Sequence, residues 1–577
     1  MPNFPRLLPA LLIASLVGAP LVSAPAYAKT PPKPTARPAA GAQAVALRPM
    51  VAAANPAAVD AGLNVLRAGG SAVDAAVAIQ AMLGLVEPQS SGLGGGSFMV
   101  YYDAKTKEVT AYDGREVAPA AATPEWFLKP DGTPLSFPDA VHSGRSTGVP
   151  GAIAMLALAQ KEHGRKPWSS LFGDVERAAD NGFVVNARLA GYVARFPLQP
   201  DVARYLVRDD GTPLKEGDLK KNPAYAATLR KLAVEGPRAI LEGDIARAIV
   251  ARVGEAPNPS PMTLADLANY RPKETRALCK PYRVYLVCTS QAPSGGPAVQ
   301  EALGILANTD INTRNANDPQ GWFQLIQGMR LAYADRDFYE GDPAFVAFPQ
   351  AGLLDPAYTA ERAKLIGDKA VAIGPGRPAG AQARAADATR EPGGTSHFVV
   401  VDAAGNVVSM TTTVESPFGS GRMVGGFILN NQLTDFSLAP RDRAGNLVAN
   451  AVAGGKRPRS SMSPTIVLDK QGKLVLAVGS PGGNSIIAYD LKAIVAYLDW
   501  KMPLQEALAL PNIVARGAPT VGEGAKLPQT VQDGLAARGI QLRPSGGEES
   551  GLHAIGTLHG KQEGAADPRR PGVARSL

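Results

Sequence analysis

A hydroxyl residue follows two glycines in Gly393-Gly394-Thr395 and precedes the apolar run of residues 398–401. The glycines permit backbone conformations that are closed to other residues, and the run after them predicts a buried strand. Thr395 can simply be the first residue of that strand. If the chain is cut before Thr395, however, the freed α-amine can accept the proton of the hydroxyl on the same residue, which makes Thr395 a nucleophile. The polar motifs elsewhere in the chain favour the cut.

Several short polar motifs accompany this candidate nucleophile. In chain order they are residues 113–119 with Arg115, 411–415 ending in Glu415, 430–436 with Gln432 and Asp435, 457–465 with Ser460 and Ser461, and 479–484 with Gly482 and Gly483. A cation with hydroxyls suits a carboxylate, whereas acids and amides suit an ammonium group. The glycine pair lies where a strand ends and a helix begins, and free N–H groups at a helix start can hold an oxyanion.

Other patterns give weaker hypotheses. Residues 144–148 match G-x-S-x-G, but a nucleophile elbow at Ser146 needs a strand before it, and the preceding residues are loop-like. The glycine run of residues 92–97 lacks the spacing of a dinucleotide loop and precedes its strand, so we expect a tight buried turn. The five histidines do not form a ligand set, and the sequence predicts neither a metal nor a cofactor.

The composition is that of a globular, exported protein. The chain has 577 residues, 45% hydrophobic and 19% charged, which excludes a disordered protein. Its net charge of +8 comes from scattered lysines and arginines, which indicates no nucleic-acid partner. Residues 1–28 have the apolar run and the A-x-A site at Ala28 of a signal peptide, and residues 29–45 predict a disordered lead-in. No later stretch is long enough to span a membrane, so we expect a periplasmic or secreted protein without a stable membrane anchor.

Export makes the two cysteines informative. Cys279 and Cys288 flank a predicted turn between two short strands, and disulfides form in oxidising compartments. Cross-strand disulfide geometry is demanding, so a disulfide and two separate buried thiols are both open.

Apolar periodicity predicts a mainly helical first part and a strand-rich part after Thr395. The predicted helices lie at residues 57–85 with a break at 69–70, 151–160, 222–235, 241–253, 296–307, 320–337 and 486–497. The predicted strands lie at residues 98–102, 396–401, 407–413, 427–429, 465–468 and 474–479. Residues 366–394 are rich in Gly, Pro and Ala and predict an exposed loop, where a cut is tolerated.

The motifs, taken in this order, resemble the γ-glutamyltranspeptidase family of N-terminal nucleophile hydrolases over about residues 50–570. The resemblance implies an α+β fold, a four-layer αββα sandwich formed by two subunits cut from one precursor. The implied cut lies between Gly394 and Thr395. Residues 46–394 are then the large subunit and residues 395–577 the small, catalytic subunit, and the two stay together as a heterodimer.

The resemblance also implies an activity. Thr395 attacks the γ-amide of glutathione or another γ-glutamyl compound, and the acyl-enzyme passes its acyl group to water or to an amino acid or peptide amine. The implied helpers are Thr413 to orient the nucleophile, Gly482 and Gly483 for the oxyanion, Arg115, Ser460 and Ser461 for the α-carboxylate, and Glu415, Gln432 and Asp435 for the α-ammonium.

One departure and three alternatives qualify this interpretation. Residues 436–459 contain no Tyr or Trp, whereas many members of the family carry an aromatic residue on a lid there; we expect an acyl-enzyme more open to water. Within the fold, the alternative is a cephalosporin acylase that cuts a glutaryl amide, which lacks the ammonium group. The others are an exported binding protein that is never cut, and a serine hydrolase that uses Ser146.

Overall fold

Two antiparallel sheets, packed face to face, form the centre of the molecule. The computed structural model describes residues 47–382, 384–387, 389, 391–545 and 550–577, so the predicted signal peptide and the lead-in lie outside the described residues. Within the described part, no helix is both long and apolar enough to cross a membrane.

The first sheet has seven strands and contains Thr395 at the start of a central strand. Its spatial order is Val573–Ser576, Met50–Ala53, Thr395–Val401, Val407–Thr413, Gly96–Tyr102, Val109–Gly114 and Lys273–Arg276. The second sheet has six strands, in the order Glu563–Ala566, His553–Gly556, Leu474–Gly479, Thr465–Leu468, Tyr285–Thr289 and Leu278–Tyr282. Both sheets therefore combine strands from either side of Thr395.

Helices cover the outer face of each sheet, which gives four layers. The helices on the seven-stranded sheet are Pro56–Arg67, Ala72–Val86, Ala152–His163, Gly173–Asn181, Ala187–Arg195, Pro200–Leu206, Pro223–Glu235, Arg238–Leu241, Gly243–Val253 and Leu264–Ala268. Those on the six-stranded sheet are Gly296–Leu306, Pro319–Tyr339, Ile486–Leu498, Leu504–Ala509 and Gln529–Ala537. Short helices and small two- or three-stranded sheets complete the described part: Phe137–Val141, Gln350–Leu353, Pro356–Ala363, Phe183–Val184 with Leu219–Lys220, Met423–Val424 with Phe427–Ile428, and Ile513–Val514 with Thr520–Gly522 and Leu542–Pro544. The helices lie outside antiparallel sheets, so the predicted α+β sandwich is confirmed.

The strand Thr395–Val401 is buried on both faces. Its alternation sends Phe398 and Val400 to the helices of the first sheet and Val399 and Val401 to the layer between the sheets. The same alternation places Thr395 on the face toward the second sheet. A strand that is buried on both faces is expected to be apolar at successive positions, which agrees with the continuous valine run of the sequence.

Local sequence signals explain several helix boundaries. Asn55 accepts a hydrogen bond from the Ala57 N–H ahead of Pro56–Arg67, and Ser71 with Asp74 forms a capping box ahead of Ala72–Val86. The predicted break at residues 69–70 is confirmed, and Gly69 has a φ of 84°. The predicted helix 241–253 is wrong at its start. The helix begins at Gly243, which has a φ of 66°, and Leu241 is the last residue of a separate short helix that begins at Arg238.

The glycine run of residues 92–97 forms the expected tight turn. A Cβ on Gly94 would lie 2.2 Å from the Ile428 carbonyl oxygen, and a Cβ on Gly95 would lie 1.9 Å from that of Thr413. The glycines thus let the turn approach two backbones closely, that of Ile428 and that of Thr413, and they serve packing.

The loop before Thr395 differs from its prediction. The described residues of 366–394 contain no helix or strand, as expected, but the end of the loop is buried: Ala385, Asp387, Thr389 and Glu391 are each less than a tenth exposed. The expectation of an exposed loop is therefore wrong for these four residues, and buried arginines hold two of them: Arg459 pairs with Asp387 and Arg336 pairs with Glu391.

Cys279 and Cys288 form a disulfide. They lie opposite each other on the neighbouring strands Leu278–Tyr282 and Tyr285–Thr289, at the edge of the six-stranded sheet. The alternative of two separate thiols is thereby excluded in this structure.

Candidate active site

Thr395 is the first residue of its strand in the seven-stranded sheet and lies opposite Thr413 on the neighbouring strand. The Thr395 hydroxyl donates to Thr413 Oγ1 at 3.1 Å. The Thr413 hydroxyl in turn donates to the Gly394 carbonyl oxygen at 2.7 Å and accepts from the Glu415 N–H at 2.8 Å. The Thr413 hydroxyl thus contacts both the Thr395 hydroxyl and the carbonyl of the preceding peptide bond.

Gly394 is required by this arrangement. A Cβ at this position would lie 2.0 Å from the Glu415 carbonyl oxygen, so a side chain would push the Gly394 carbonyl away from Thr413. Glu415 itself has a φ of 81°, a strained conformation for a residue other than glycine. Such strain is tolerated where the surrounding structure fixes the backbone, and here the segment next to Thr395 is held on both sides.

Arg115 is fully buried beside Asp435. Its Nη2 donates to Asp435 Oδ2 at 2.5 Å and to the Arg459 carbonyl oxygen at 2.7 Å, and its Nε donates to the Pro458 carbonyl oxygen at 3.1 Å. Gln432 Nε2 also donates to Asp435 Oδ2, at 2.6 Å. Three of the predicted motifs therefore meet at one point.

Four polar atoms in this cluster are buried without a hydrogen-bond partner in the described part of the chain. They are Arg115 Nη1, Glu415 Oε1, Gln432 Oε1 and Asp435 Oδ1. Glu116 Oε2 lies 3.9 Å from Arg115 Nη1, and both carboxyl oxygens of Glu116 also lack a hydrogen-bond partner among the described residues; burial raises the pKa of Glu116 to about 8. Glu415 hydrogen-bonds to Asp435 when it is protonated, so the oxygens of this pair lack a donor only when both carboxyl groups are ionised. Buried polar groups are costly when unpaired, so these atoms indicate a polar ligand.

Burial and a neighbouring carboxyl group raise the pKa of both Glu415 and Asp435. Burial raises the pKa of Glu415 well above its usual range, and the charge of Asp435 raises it further. Burial raises the pKa of Asp435 to about 6, despite the opposing attraction of Arg115. A pair of carboxyl groups in one site titrates together, so this pair holds a proton that an arriving cation would displace.

Ser460 and Ser461 lie on the other side of the cleft. The Ser460 hydroxyl oxygen accepts from the Met462 N–H at 3.1 Å, and the Ser461 hydroxyl donates to Glu391 Oε2 at 2.5 Å. Burial alone would raise the pKa of Glu391, but the charges of Arg336, Arg459 and Arg516 lower it to about 2. The Glu391 carboxyl group is therefore ionised at neutral pH.

Gly482 and Gly483 follow the strand Leu474–Gly479 and precede the helix Ile486–Leu498, as predicted. Their φ values of 137° and 55° lie in a region that favours glycine. A Cβ on Gly483 would lie 2.0 Å from the Glu391 carbonyl oxygen and 2.4 Å from that of Pro392. The glycine pair thus lies directly against the segment that ends at Gly394.

The structure brings almost all predicted site residues to one cleft. Its lining contains Arg115, Thr395, Thr413, Glu415, Gln432, Asp435, Ser460, Ser461 and Gly483, together with Glu391, Pro392, Met462 and Ile486. Gly482 is the only predicted helper outside that lining, and it precedes a member of it.

Two functional residues were missed from the sequence. Glu391 lies in the Gly- and Pro-rich stretch, where a single acid carries no spacing signal. Asn450 donates to the Asp435 carbonyl oxygen at 2.6 Å and accepts from the Arg459 N–H at 3.0 Å, so it ties the Asp435 turn to the Ser460 turn. Its position in the segment between the two motifs was the available hint.

The weaker hypotheses find no support in the structure. Ser146 lies in a short helical turn, Gly144–Ser146, after a helix and not after a strand, and its hydroxyl donates to the Ser143 carbonyl oxygen at 2.9 Å. Among the described residues, no group of three His, Cys, Asp or Glu side chains could hold a metal ion.

A four-layer sandwich with a threonine at the start of a central strand, beside a polar cleft, defines the class: the fold is that of the N-terminal nucleophile hydrolases. Comparison with known proteins narrows this further. Residues 58–577 match the family model of gamma-glutamyltranspeptidase, and the chain belongs to that family, which confirms the resemblance seen in the sequence.

Individual relatives carry two kinds of name. The chain is 37% identical over 543 residues, 91% of either chain, to a glutathione hydrolase proenzyme of Bacillus subtilis (strain 168). It is 34% identical over 534 residues to the acylase ACY 1 proenzyme of Pseudomonas sp. (strain SE83), which covers 89% of this chain and 91% of that one. The crystal structure of a cephalosporin acylase from Bacillus halodurans is similar with a TM-score of 0.81 at 25% identity, over 94% of this chain and 99% of that one. Family membership therefore does not identify the substrate, which has to be inferred from the residues that line the cleft.

Proposed function

We propose that the chain is an exported, self-processed γ-glutamyltransferase and glutathione hydrolase with Thr395 as its nucleophile. The observation that carries this proposal is the set of four unpartnered buried atoms. An α-ammonium group has three N–H donors, and Glu415 Oε1, Gln432 Oε1 and Asp435 Oδ1 are three acceptors. Arg115 Nη1 is a donor for the adjacent α-carboxylate, to which arginine is well suited. The head group of a γ-glutamyl compound carries both charges.

Self-processing is the first reaction that we propose. The Thr395 hydroxyl oxygen attacks the Gly394 carbonyl carbon, the Gly394–Thr395 peptide bond breaks, and the hydroxyl proton passes to the freed amine. Water then hydrolyses the ester, which restores the hydroxyl and leaves a Gly394 carboxylate. The hydrogen bond from Thr413 to the Gly394 oxygen supports this step, as does the name proenzyme of the relatives. The products are a large subunit 46–394 and a small subunit 395–577.

Turnover of a donor repeats the same chemistry on another amide. The Thr395 hydroxyl attacks the γ-carbonyl carbon while its own amine accepts the proton. The Gly482 and Gly483 N–H groups stabilise the oxyanion once the segment before Thr395 has moved, a contribution of about 3–4 kcal/mol for each donor. Cleavage of glutathione releases cysteinylglycine and leaves a γ-glutamyl ester. Water or the amine of an amino acid or peptide then takes the acyl group.

Export is proposed from two observations. The first is the signal-peptide pattern of residues 1–28, and the second is the disulfide Cys279–Cys288, since disulfides persist in oxidising compartments. A periplasmic or secreted enzyme would meet glutathione and peptides outside the cytoplasm.

An acylase of the same fold is the second candidate, favoured by the acylases among the relatives. A glutaryl group has no ammonium, so it would leave Glu415 Oε1, Gln432 Oε1 and Asp435 Oδ1 unpaired. Sites that bury polar groups discriminate strongly against ligands that cannot pair them. The cleft therefore supports the γ-glutamyl donor better.

The balance between hydrolysis and transfer depends on the segment 437–459, which has no Tyr or Trp. Phe436 is fully buried in a small core with Phe127 and Leu433, so it does not cover the cleft. We propose that hydrolysis predominates. The partition of glutathione between free glutamate and a γ-glutamyl dipeptide measures this, and predominant transfer would refute it.

The proposal is tested by incubating the purified exported protein with glutathione, with Thr395→Ala and Ser146→Ala as parallel variants. We expect cysteinylglycine from the wild type and from Ser146→Ala, and none from Thr395→Ala. Activity on a glutaryl amide and not on glutathione would favour the acylase. A wild type that is recovered as one uncut chain would favour the binding protein.

A further inference from the structure

The segment before the proposed cut is anchored in the cleft by its own carboxylate. Glu391 Oε2 accepts from the Ser461 hydroxyl at 2.5 Å, and Oε1 accepts from Arg336 Nη2 at 2.8 Å. Arg459 Nε lies 3.7 Å from Oε1. The Glu391 carboxylate thus already accepts the hydrogen bond of the Ser461 hydroxyl. Ser461 is one of the two serines that were predicted to bind the α-carboxylate of the substrate.

The backbone of the same residue is held as well. The Glu391 N–H donates to Asn484 Oδ1 at 2.7 Å, and the Asn484 N–H donates to the Glu391 carbonyl oxygen at 2.9 Å. The approach of this carbonyl to Gly483 leaves no room for a Cβ there. Side chain and backbone together fix the chain four residues before Thr395 (395 − 391 = 4).

A second fixed point lies on the other side of the scissile bond. The pairing of Thr395 with Thr413 in the sheet sets the position of the nucleophile. Between the two fixed points stand Pro392, whose ring restricts its own φ, and two glycines. Short chains with both ends fixed have few conformations, which favours the one in which the Gly394 carbonyl meets the Thr413 hydroxyl.

We propose that Glu391 is the positioning residue of self-cleavage, and that its carboxylate occupies the Ser461 position until the cut segment leaves and the α-carboxylate of a donor replaces it. This inference rests on the proposed function. The bonds made and broken are those of the self-processing reaction above, and Glu391 itself exchanges no proton or electron pair. It acts by holding the Gly394 carbonyl carbon within reach of the Thr395 hydroxyl oxygen.

The test follows the appearance of the chain that begins at Thr395, by intact mass, in freshly synthesised full-length protein. We expect Glu391→Gln to slow the cut at least tenfold. Asp337→Asn is the matched control, because Asp337 contacts Arg336 and Arg459 but not Ser461; it should cut within about twofold of the wild-type rate. Ser461→Ala removes the other partner of Glu391 and should slow the cut as well.

The kinetics of the cut enzymes separate positioning from a general loss of structure. We expect Glu391→Gln, once cut, to have a KM for glutathione no higher than that of the wild type, whereas Ser461→Ala should raise KM. A Glu391→Gln precursor that is cut at the wild-type rate, or a slow cut joined to a raised KM, would overturn the inference. A wild type that is not cut before Thr395 would instead refute the proposed function on which it rests.

Discussion

The two ends of the cleft differ in what the uncut chain supplies to them. At the Ser461 end, the carboxylate of Glu391 meets a hydroxyl and arginines, so the chain satisfies its own site. At the Asp435 end, three carbonyl or carboxylate oxygens lie buried without partners in the described part of the chain. In the proposed function, the Ser461 end therefore serves first the precursor and then the substrate, whereas the Asp435 end is complete only with a substrate. Changes at the two ends should therefore have separable effects.

The largest effect is expected from Asp435→Asn. The substitution keeps the shape of the side chain but removes a buried charge that faces both Arg115 and the donor ammonium. Loss of one partner of such a pair costs about 2–5 kcal/mol, so kcat/KM for a γ-glutamyl amide should fall roughly 10²-fold. A glutaryl amide is the control, since it has no ammonium and should lose less. Equal losses on both substrates would show that Asp435 acts only by holding Arg115.

The pH dependence of donor binding sharpens the same contrast. Burial raises the pKa of Asp435 and does so independently of Glu391, which leaves with the cut segment. The carboxyl pair therefore becomes protonated as the pH falls into the acidic range and attracts an ammonium less. We expect kcat/KM for the γ-glutamyl amide to fall up to tenfold per pH unit in that range. The glutaryl amide should not show this acid limb. An identical profile for both substrates would contradict an ammonium site at this pair.

Asn450→Ala tests the link between the two ends. Its amide joins the Asp435 carbonyl to the Arg459 N–H, and removal leaves two buried backbone groups unpaired, at about 1–3 kcal/mol for a lost buried partner. We expect KM for glutathione to rise about tenfold with a smaller change in kcat. The control is Asn446→Ala, in the exposed turn of the same segment. If both variants behave alike, Asn450 does not couple the ends.

Acid also acts on the layer beneath the cleft, and the two effects must be separated. Burial lowers the pKa of His397 well below its usual range, and burial with the charge of Arg570 lowers that of His553 to about 3. Below pH 6.5 these histidines bind protons in the unfolded state but not in the folded state. The stability that they contribute is therefore present above that pH and is lost as the pH falls. The loss is about 1.4 kcal/mol per pH unit for each histidine.

Urea unfolding between pH 7.5 and pH 5 measures this loss. We expect the variant His553→Gln to have a shallower pH dependence of the free energy of unfolding than the wild type. An unchanged slope in His553→Gln would mean that other groups govern the acid limb of stability.

Local signals in the sequence carried much of the fold and the site. The valine run after Thr395, the strand 407–413 and the glycine break at residues 69–70 are each set by their own residues. The site motifs could be recognised because each has a distinctive set of polar residues at the end of an element. Their meeting in one cleft was available from the resemblance, not from the spacing.

What could not be predicted depends on contacts between distant parts of the chain. The edge strand Val573–Ser576 and its neighbour Met50–Ala53 are short and gain their structure only by pairing across the sheet. The buried end of the loop before Thr395 is polar in composition, and its burial depends on Arg336 and Arg459, more than fifty residues away. The contacts of Glu391 with these two arginines could not be predicted from the sequence around Glu391 or from the sequence around the arginines.

The most direct test of the central claim is to trap the acyl-enzyme. The purified protein is mixed with a γ-glutamyl amide, quenched in acid and analysed by intact mass and peptide mapping. We expect one γ-glutamyl group on the chain that begins at Thr395, attached to that first residue, and none in a Thr395→Ala sample. A γ-glutamyl group on another residue, or turnover by an uncut chain, would contradict Thr395 as the nucleophile of this enzyme.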